Sequence, residues 1–184
     1  MKTLVVLLSF FTAALGTPAA LAEIEKNAEP CETGICLHWW PKLPELHGWH
    51  GDRGSSLRYG ANALAPNGFT FSNAETVIYA RALFKPRMPK ATSLETLITD
   101  DKQELLSGNV GVRISETKAL VTGDGQNLRS FMFSPEAGGN WERVSYGEEG
   151  EFYLLFTISS RTASGYKKAE PAYEELIHRY RAKP

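Results

Sequence analysis

The hydrophobic pattern of the chain is strongest in residues 151–161, Glu-Phe-Tyr-Leu-Leu-Phe-Thr-Ile-Ser-Ser-Arg. Phe152 and Leu154 alternate with Tyr153 and Leu155, so an extended strand here has apolar side chains on both faces. A strand of this kind is covered on both sides by other parts of a protein. We therefore predict that this segment is the central strand of a sheet.

Patterns elsewhere predict the remaining elements. Branched and aromatic residues bounded by turn residues predict strands at residues 57–64, 77–84, 110–114, 118–122, 128–133 and 141–146. A helix is predicted from the capping-box spacing of Thr92 and Glu95 to a C-terminal cap at Gly108. A second helix follows the central strand, with Pro171 in its first turn. This order predicts an α+β fold in which helices sandwich an antiparallel sheet, or meander.

The N-terminus has the pattern of a secretory signal peptide. Lys2 precedes an apolar stretch at residues 4–15, and the small residues Ala20 and Ala22 come just before Glu23. The apolar stretch is about half of the ~20 residues that a membrane-spanning helix needs. We predict cleavage after Ala22, which yields a periplasmic or secreted protein with no membrane span after signal cleavage.

The segment after the signal peptide, residues 23–53, combines scattered proline and glycine with three of the four tryptophans. This composition predicts an irregular arm that lies on the protein, because flexible linkers lack such aromatic density. Residues 54–184 contain no internal repeat and no sign of a second domain. We predict that they form a single α+β domain.

The arm contains both cysteines, Cys31 and Cys36, with Gly34 between them. In an oxidising compartment, two cysteines at this spacing most simply form a disulfide across a turn. The spacing differs from that of thiol oxidoreductases. A structural disulfide is therefore predicted.

The element order over residues 69–180 resembles that of the PsbP-like family, the lumenal extrinsic subunits of photosystem II and their bacterial look-alikes. The shared features are an exported domain of this size, an antiparallel sheet between helices, and a last strand that leads into a C-terminal helix. The resemblance involves no residue motif, so it assigns no functional residue. It implies an accessory or binding protein more often than an enzyme.

The charge of the chain bears on its partners. Acidic and basic side chains are interspersed and the formal net charge is −1. A chain of this kind lacks the basic patch that nucleic acids and anionic membranes require. We expect a protein or another envelope component as the partner.

Histidines and a carboxylate are concentrated in His47-Gly-Trp-His-Gly-Asp52. Imidazole and carboxylate groups are ligands for Zn or Cu, and the glycines allow a tight loop. His47, His50 and Asp52 are therefore the candidate ligands of a metal-binding protein. The alternative is that these side chains only pack beside Trp49, with no cofactor.

The tryptophans of the arm have two interpretations. In the first, the arm presents a recognition surface made of Trp39, Trp40 and Trp49 with His47 and His50. In the second, the indoles only cover an open end of the hydrophobic core. Neighbours in an extended chain point to opposite sides. We predict that one of Trp39 and Trp40 faces the core and that the other faces outward with Trp49.

A catalytic interpretation rests on Ser159, at the end of the central strand. A nucleophilic serine needs a base, and His50 or His178 would have to approach it. The paired carboxylates Asp100 and Asp101 are neighbours on a helix, which favours a solvated helix face over an acid–base pair.

The leading hypothesis is a non-catalytic exported binding or accessory protein, of which an inhibitor or immunity protein is one example. The alternatives are a metal-binding protein and a small hydrolase.

Overall fold

The computed structural model describes residues 23–32, 34–108, 111–136 and 138–182, so the predicted signal peptide lies outside the described residues. The strands are β1 (Ile24–Cys31), β2 (Gly34–Pro41), β3 (Trp49–Gly51), β4 (Asn62–Pro66), β5 (Thr76–Phe84), β6 (Val112–Val121), β7 (Asn127–Pro135), β8 (Trp141–Glu149) and β9 (Phe152–Ser160). The helices are α1 (Arg53–Tyr59), α2 (Leu94–Gly108) and α3 (Ala163–Arg179), with a short 3-10 turn at Lys85–Arg87. None of these helices is long and apolar enough to cross a membrane.

Seven strands form one antiparallel sheet in the order β3-β4-β5-β9-β8-β7-β6. The apolar strand β9 lies in the middle and pairs with β5 on one side and β8 on the other. The prediction of a central strand is confirmed, as is the mixed fold with antiparallel pairing.

Helix α3 covers one face of the sheet. Three even-numbered side chains of β9, those of Leu154, Phe156 and Ile158, are fully buried in the core beneath it. The hydroxyl of Tyr173 donates to the backbone carbonyl of Phe156 over 2.8 Å. This face therefore supplies the main hydrophobic core.

The start of α3 differs from the prediction. Thr162 caps the helix by accepting a hydrogen bond from the backbone N–H of Gly165 (2.9 Å), so the helix begins at Ala163. Pro171 lies inside the helix rather than in its first turn. Burial of Ala169 and Tyr173, on either side of Pro171, stabilises the helix against the cost of an interior proline.

The opposite face of the sheet is covered unevenly. Ile98 of α2 packs with Phe131 and Phe133 of β7, at the side of the sheet near β6. Leu155 of β9 is only half-buried and borders an open cleft. Helices thus lie on both faces, but the second face is partly open over β5 and β9.

The N-terminal arm is not irregular over residues 24–41, where the prediction was wrong. β1 and β2 pair along their whole length as a separate two-stranded hairpin, and Cys31 and Cys36 form the predicted disulfide near its end. Pro30 is tolerated in β1 because that strand has a partner on one side only. The hairpin packs beside β5 through β2.

Helix α1 was not predicted, and it begins at Arg53, where the predicted arm ends. It occupies the first part of the strand predicted at residues 57–64, so the observed strand, β4, begins only at Asn62. Asp52 caps the helix through Ser55, and Gly60, with φ of 61°, ends it. Caps of this kind define a short helix even where the intervening sequence suggests a strand.

Two further boundaries differ in the meander. The strands predicted at residues 110–114 and 118–122 are one strand, β6, with a register irregularity between Thr117 and Leu120. β8 continues through Gly147, beyond the predicted end of the strand at residue 146. A Cβ at Gly147 would lie 2.4 Å from Cδ2 of Leu128, so this glycine permits close packing rather than a turn.

Candidate functional site

The uncovered part of the sheet forms a cleft, which we call the face cleft. It consists of two cavities of about 350 Å³ and about 360 Å³ that share Tyr79, Arg81 and Glu142 as lining residues. Its principal side chains are Tyr59, Phe71, Glu75, Tyr79, Arg81, Asp101, Glu104, Glu142, Ser159 and Arg161.

The period of two along the strands brings these groups together. Tyr79 of β5 lies opposite Thr157 of β9, and Ser159 of β9 lies opposite Glu142 of β8. Alternate residues of a strand share one face. The face cleft is therefore built on the three middle strands of the sheet, β5, β9 and β8.

Glu142 is at the centre of a hydrogen-bonded group. The hydroxyl of Ser159 donates to Oε1 of Glu142 over 2.6 Å, and Nδ2 of Asn140 donates to the Ser159 oxygen over 3.1 Å. Burial raises the pKa of Glu142 above its usual value, while its hydrogen bonds with Ser159 and Asn140 oppose this effect. The desolvated carboxyl can act as a proton acceptor or as the partner of a cation.

Asp101 faces the sheet, which corrects the prediction that it belongs to a solvated helix face. Its carboxylate accepts a hydrogen bond from the hydroxyl of Tyr146 on β8. Burial raises the pKa of Asp101 above its usual value, opposed by that hydrogen bond. Asp100 is exposed as predicted, so the two neighbouring carboxylates do not act as a pair.

Arg81 lies among these acidic groups without being joined to one. Its guanidinium carbon is 6.0 Å from the centre of the Tyr79 ring, and it forms no salt bridge within the described part of the chain. Arg81 is exposed and lines both cavities of the face cleft. Its donors are available to a ligand.

Aromatic rings form one wall of the face cleft. The rings of Tyr59 and Phe71 are 5.5 Å apart, and those of Phe71 and Tyr79 are 6.0 Å apart in an edge-on arrangement. The backbone N–H of Phe71 donates to Oδ2 of Asp52 over 2.9 Å, which ties this wall to α1. The cleft thus has an apolar side as well as a charged floor.

The predicted metal ligands do not come together. Asp52 uses Oδ1 for the N–H of Ser55 and Oδ2 for the N–H of Phe71, and these bonds lower its pKa. No group of three His, Cys, Asp or Glu side chains in the described ranges could hold a metal ion. The Zn or Cu hypothesis for His47, His50 and Asp52 therefore gains no support from the structure, because the Asp52 carboxylate caps a helix.

The two adjacent tryptophans point to different surroundings. Trp40 is 1% exposed, and its indole N–H donates to Glu25 over 3.1 Å while Arg53 lies over the ring. Trp39 is half-buried and stacks on Phe84 with ring centres 5.6 Å apart. Trp40 cannot belong to a recognition surface.

The other predicted binding residues lie elsewhere. Trp49, His47 and His50 line a separate cleft of about 620 Å³, together with Arg179 of α3. We call it the loop cleft. Trp49 is half-buried, and both histidines are exposed. Trp39 lines neither of these two clefts.

The residues of the hydrolase hypothesis are only partly brought together. Ser159 lies in the face cleft, whereas Ser160 points to the other face and accepts a hydrogen bond from Thr76. His50 belongs to the loop cleft, and His178 lies on the exposed side of α3. The carboxylate that does meet Ser159 is Glu142, which was not predicted.

No family model matches the chain, and no curated protein matches it in sequence. Among solved structures, a similar one is the protein of unknown function PA94 from Pseudomonas aeruginosa. The match has a TM-score of 0.48 and 10% sequence identity, and it covers 86% of this chain and 98% of that chain. At a TM-score below 0.5 the likeness assigns neither a fold nor a function to this chain.

Proposed function

We propose that the protein is an exported, non-catalytic binding or accessory protein whose ligand occupies the face cleft. The observation that carries the proposal is the position of Glu142, a desolvated carboxyl at the junction of two cavities on an open sheet face. A desolvated carboxyl beside a cavity costs folding stability, and such groups are concentrated at functional sites.

The size and lining of the face cleft support binding of a small molecule. Each cavity lies near the lower end of the roughly 300 to 1,000 Å³ range of ligand pockets. The cleft combines apolar rings with a few polar groups that converge, which is the usual composition of such sites. Its floor consists of paired strands, so little ordering is needed before a ligand binds.

Export is supported by the signal-peptide pattern of residues 1–22 and by the disulfide between Cys31 and Cys36. Disulfides persist in oxidising compartments. The resemblance to PsbP-like exported domains remains a proposal at the level of fold, supported by a sheet with α2 and α3 on opposite faces. If a protein or envelope component also binds the arm, the candidate contact surface is the one around Trp49, because Trp40 is buried.

A thermal-shift experiment tests the proposed function. The small-molecule extract of the cells that make the protein should raise the melting temperature of the wild type. It should not do so for Val77→Trp, which fills the face cleft from β5. Trp49→Ala, in the loop cleft, is the matched control and should respond like the wild type. Equal stabilisation of wild type and Val77→Trp would contradict the proposal.

A second candidate, a serine hydrolase, is favoured by the 2.6 Å hydrogen bond from Ser159 to Glu142. A carboxylate can serve as the base for a serine nucleophile when the two are in contact. A fluorophosphonate probe tests this candidate. Covalent labelling of Ser159, absent in Ser159→Ala and in Glu142→Gln, would establish it in place of the binding proposal. The binding proposal predicts no labelling.

A further inference from the structure

Building on the proposed function, we propose that the ligand of the face cleft is a zwitterion of the α-amino acid type, with an ammonium and a carboxylate group close together. The charges in the cleft are mixed and separated: carboxylates approach from α2 and β8, and a guanidinium projects from β5.

The acidic side of the cleft suits an ammonium group. Asp101, Glu104 and Glu142 line one cavity, and no lysine lines it with them. An ammonium has three donors on a compact charge, so it can bond to more than one carboxylate at once. The raised pKa values of Asp101 and Glu142 agree with this assignment, because a bound cation would compensate for their desolvation.

The basic side suits a carboxylate. Arg81 lines both cavities and has no salt-bridge partner in the described ranges. Its planar guanidinium can hold a carboxylate with two parallel hydrogen bonds. The other arginine of the cleft, Arg161, already donates to the backbone carbonyl of Ser72 over 2.7 Å. Arg81 is therefore the group left to receive an anion.

Neither charge alone fits the cleft. A ligand that is only cationic would meet the like charge of Arg81, and one that is only anionic would meet three carboxyl groups. A zwitterion pairs with both signs at once. The rings of Tyr59, Phe71 and Tyr79 beside these groups favour an aromatic or apolar side chain.

Three probes that share a phenethyl group test this inference by titration calorimetry at low salt. L-phenylalanine carries both charges, phenethylamine only the positive one, and 3-phenylpropionate only the negative one. Phenylalanine should bind at least about tenfold more tightly than either analogue, as a lost charge-assisted hydrogen bond implies. Arg81→Gln should weaken phenylalanine binding by about tenfold without weakening phenethylamine binding. Glu142→Gln should weaken both ligands.

The controls separate this inference from the proposed function. Arg179→Gln, in the loop cleft, should bind phenylalanine like the wild type. Equal binding of phenethylamine and phenylalanine would overturn the zwitterion. So would the absence of binding of all three probes at about 10 mM. If the cell extract still stabilises the wild type but not Val77→Trp, only the ligand class is wrong. If it stabilises both equally, the proposed function fails as well.

Discussion

Truncating each of the adjacent tryptophans should give different losses of stability. Trp40 is 1% exposed, so Trp40→Ala removes a buried indole, its bond to Glu25 and its contact with Arg53. Such a truncation lowers the free energy of unfolding by about 3 to 5 kcal/mol, and the whole free energy of unfolding of a domain is only roughly 5 to 15 kcal/mol. Trp39 is half-buried, and its loss removes a ring pair worth about 0.5 to 1.5 kcal/mol and part of its apolar area. We expect about 2 kcal/mol for Trp39→Ala.

Urea denaturation followed by far-UV circular dichroism measures both losses. The midpoint should fall more for Trp40→Ala than for Trp39→Ala, with an unchanged slope. His47→Ala, an exposed substitution in the same segment, should change stability by less than about 0.5 kcal/mol. Equal losses for the two tryptophan variants would refute the inference that neighbouring indoles have different environments. A loss below about 1 kcal/mol for Trp40→Ala would show that the hairpin does not pack as described.

Three further predictions concern charge, core and processing. Because the pKa of Glu142 is raised in the folded state, its cost to stability is absent at acid pH and appears as the pH rises above the usual glutamate value. The melting temperature of Glu142→Gln should therefore exceed that of the wild type increasingly from about pH 4 to about pH 7, and a difference independent of pH would contradict the burial of this carboxyl. Arg143 is 3% exposed and bonds to Glu170 and Glu174. Arg143→Met should lower the free energy of unfolding, measured by urea denaturation, by about 3 kcal/mol. Arg179→Met removes one partner of an exposed ion pair and should lower it by at most about 1 kcal/mol. The intact mass of the exported protein should correspond to a chain that begins at Glu23 with one disulfide. Two free thiols would exclude the disulfide, and a retained leader would exclude cleavage after Ala22.

The positions of strands and helices were predictable where the hydrophobic pattern of the sequence was strong. The central strand follows from its alternating pattern, and α2 lies in the range predicted for it. The cap of α2 is Ser93, which accepts from the N–H of Thr96, and not the predicted Thr92. The hairpin was missed because proline and glycine in β1 and β2 resemble a loop, although a two-stranded ribbon, in which each strand has one paired neighbour, accepts them. Helix α1 was missed because its existence depends on caps at Asp52 and Gly60 rather than on an apolar stripe.

The face cleft was predictable only in part. Ser159 was identified from its place at the end of the central strand, but its partner Glu142 is on another strand, and the pairing of β8 with β9 decides their contact. One signal was present in the sequence: Arg81 interrupts an apolar strand, which suggests a side chain that faces an open surface. Asp52 was predicted as a metal ligand because carboxylates bind metals. Its carboxylate instead accepts a hydrogen bond from the backbone N–H of Ser55, which the sequence pattern did not indicate.

The central claim is that a ligand binds in the face cleft and not at the Trp-rich arm. Backbone NMR spectra recorded with and without the stabilising cell extract test it most directly. The account predicts amide shift changes concentrated at Tyr79, Glu142 and Ser159, with little change at Trp49 and His50. Changes concentrated at Trp49 and His50 instead would move the binding site to the loop cleft and contradict the account.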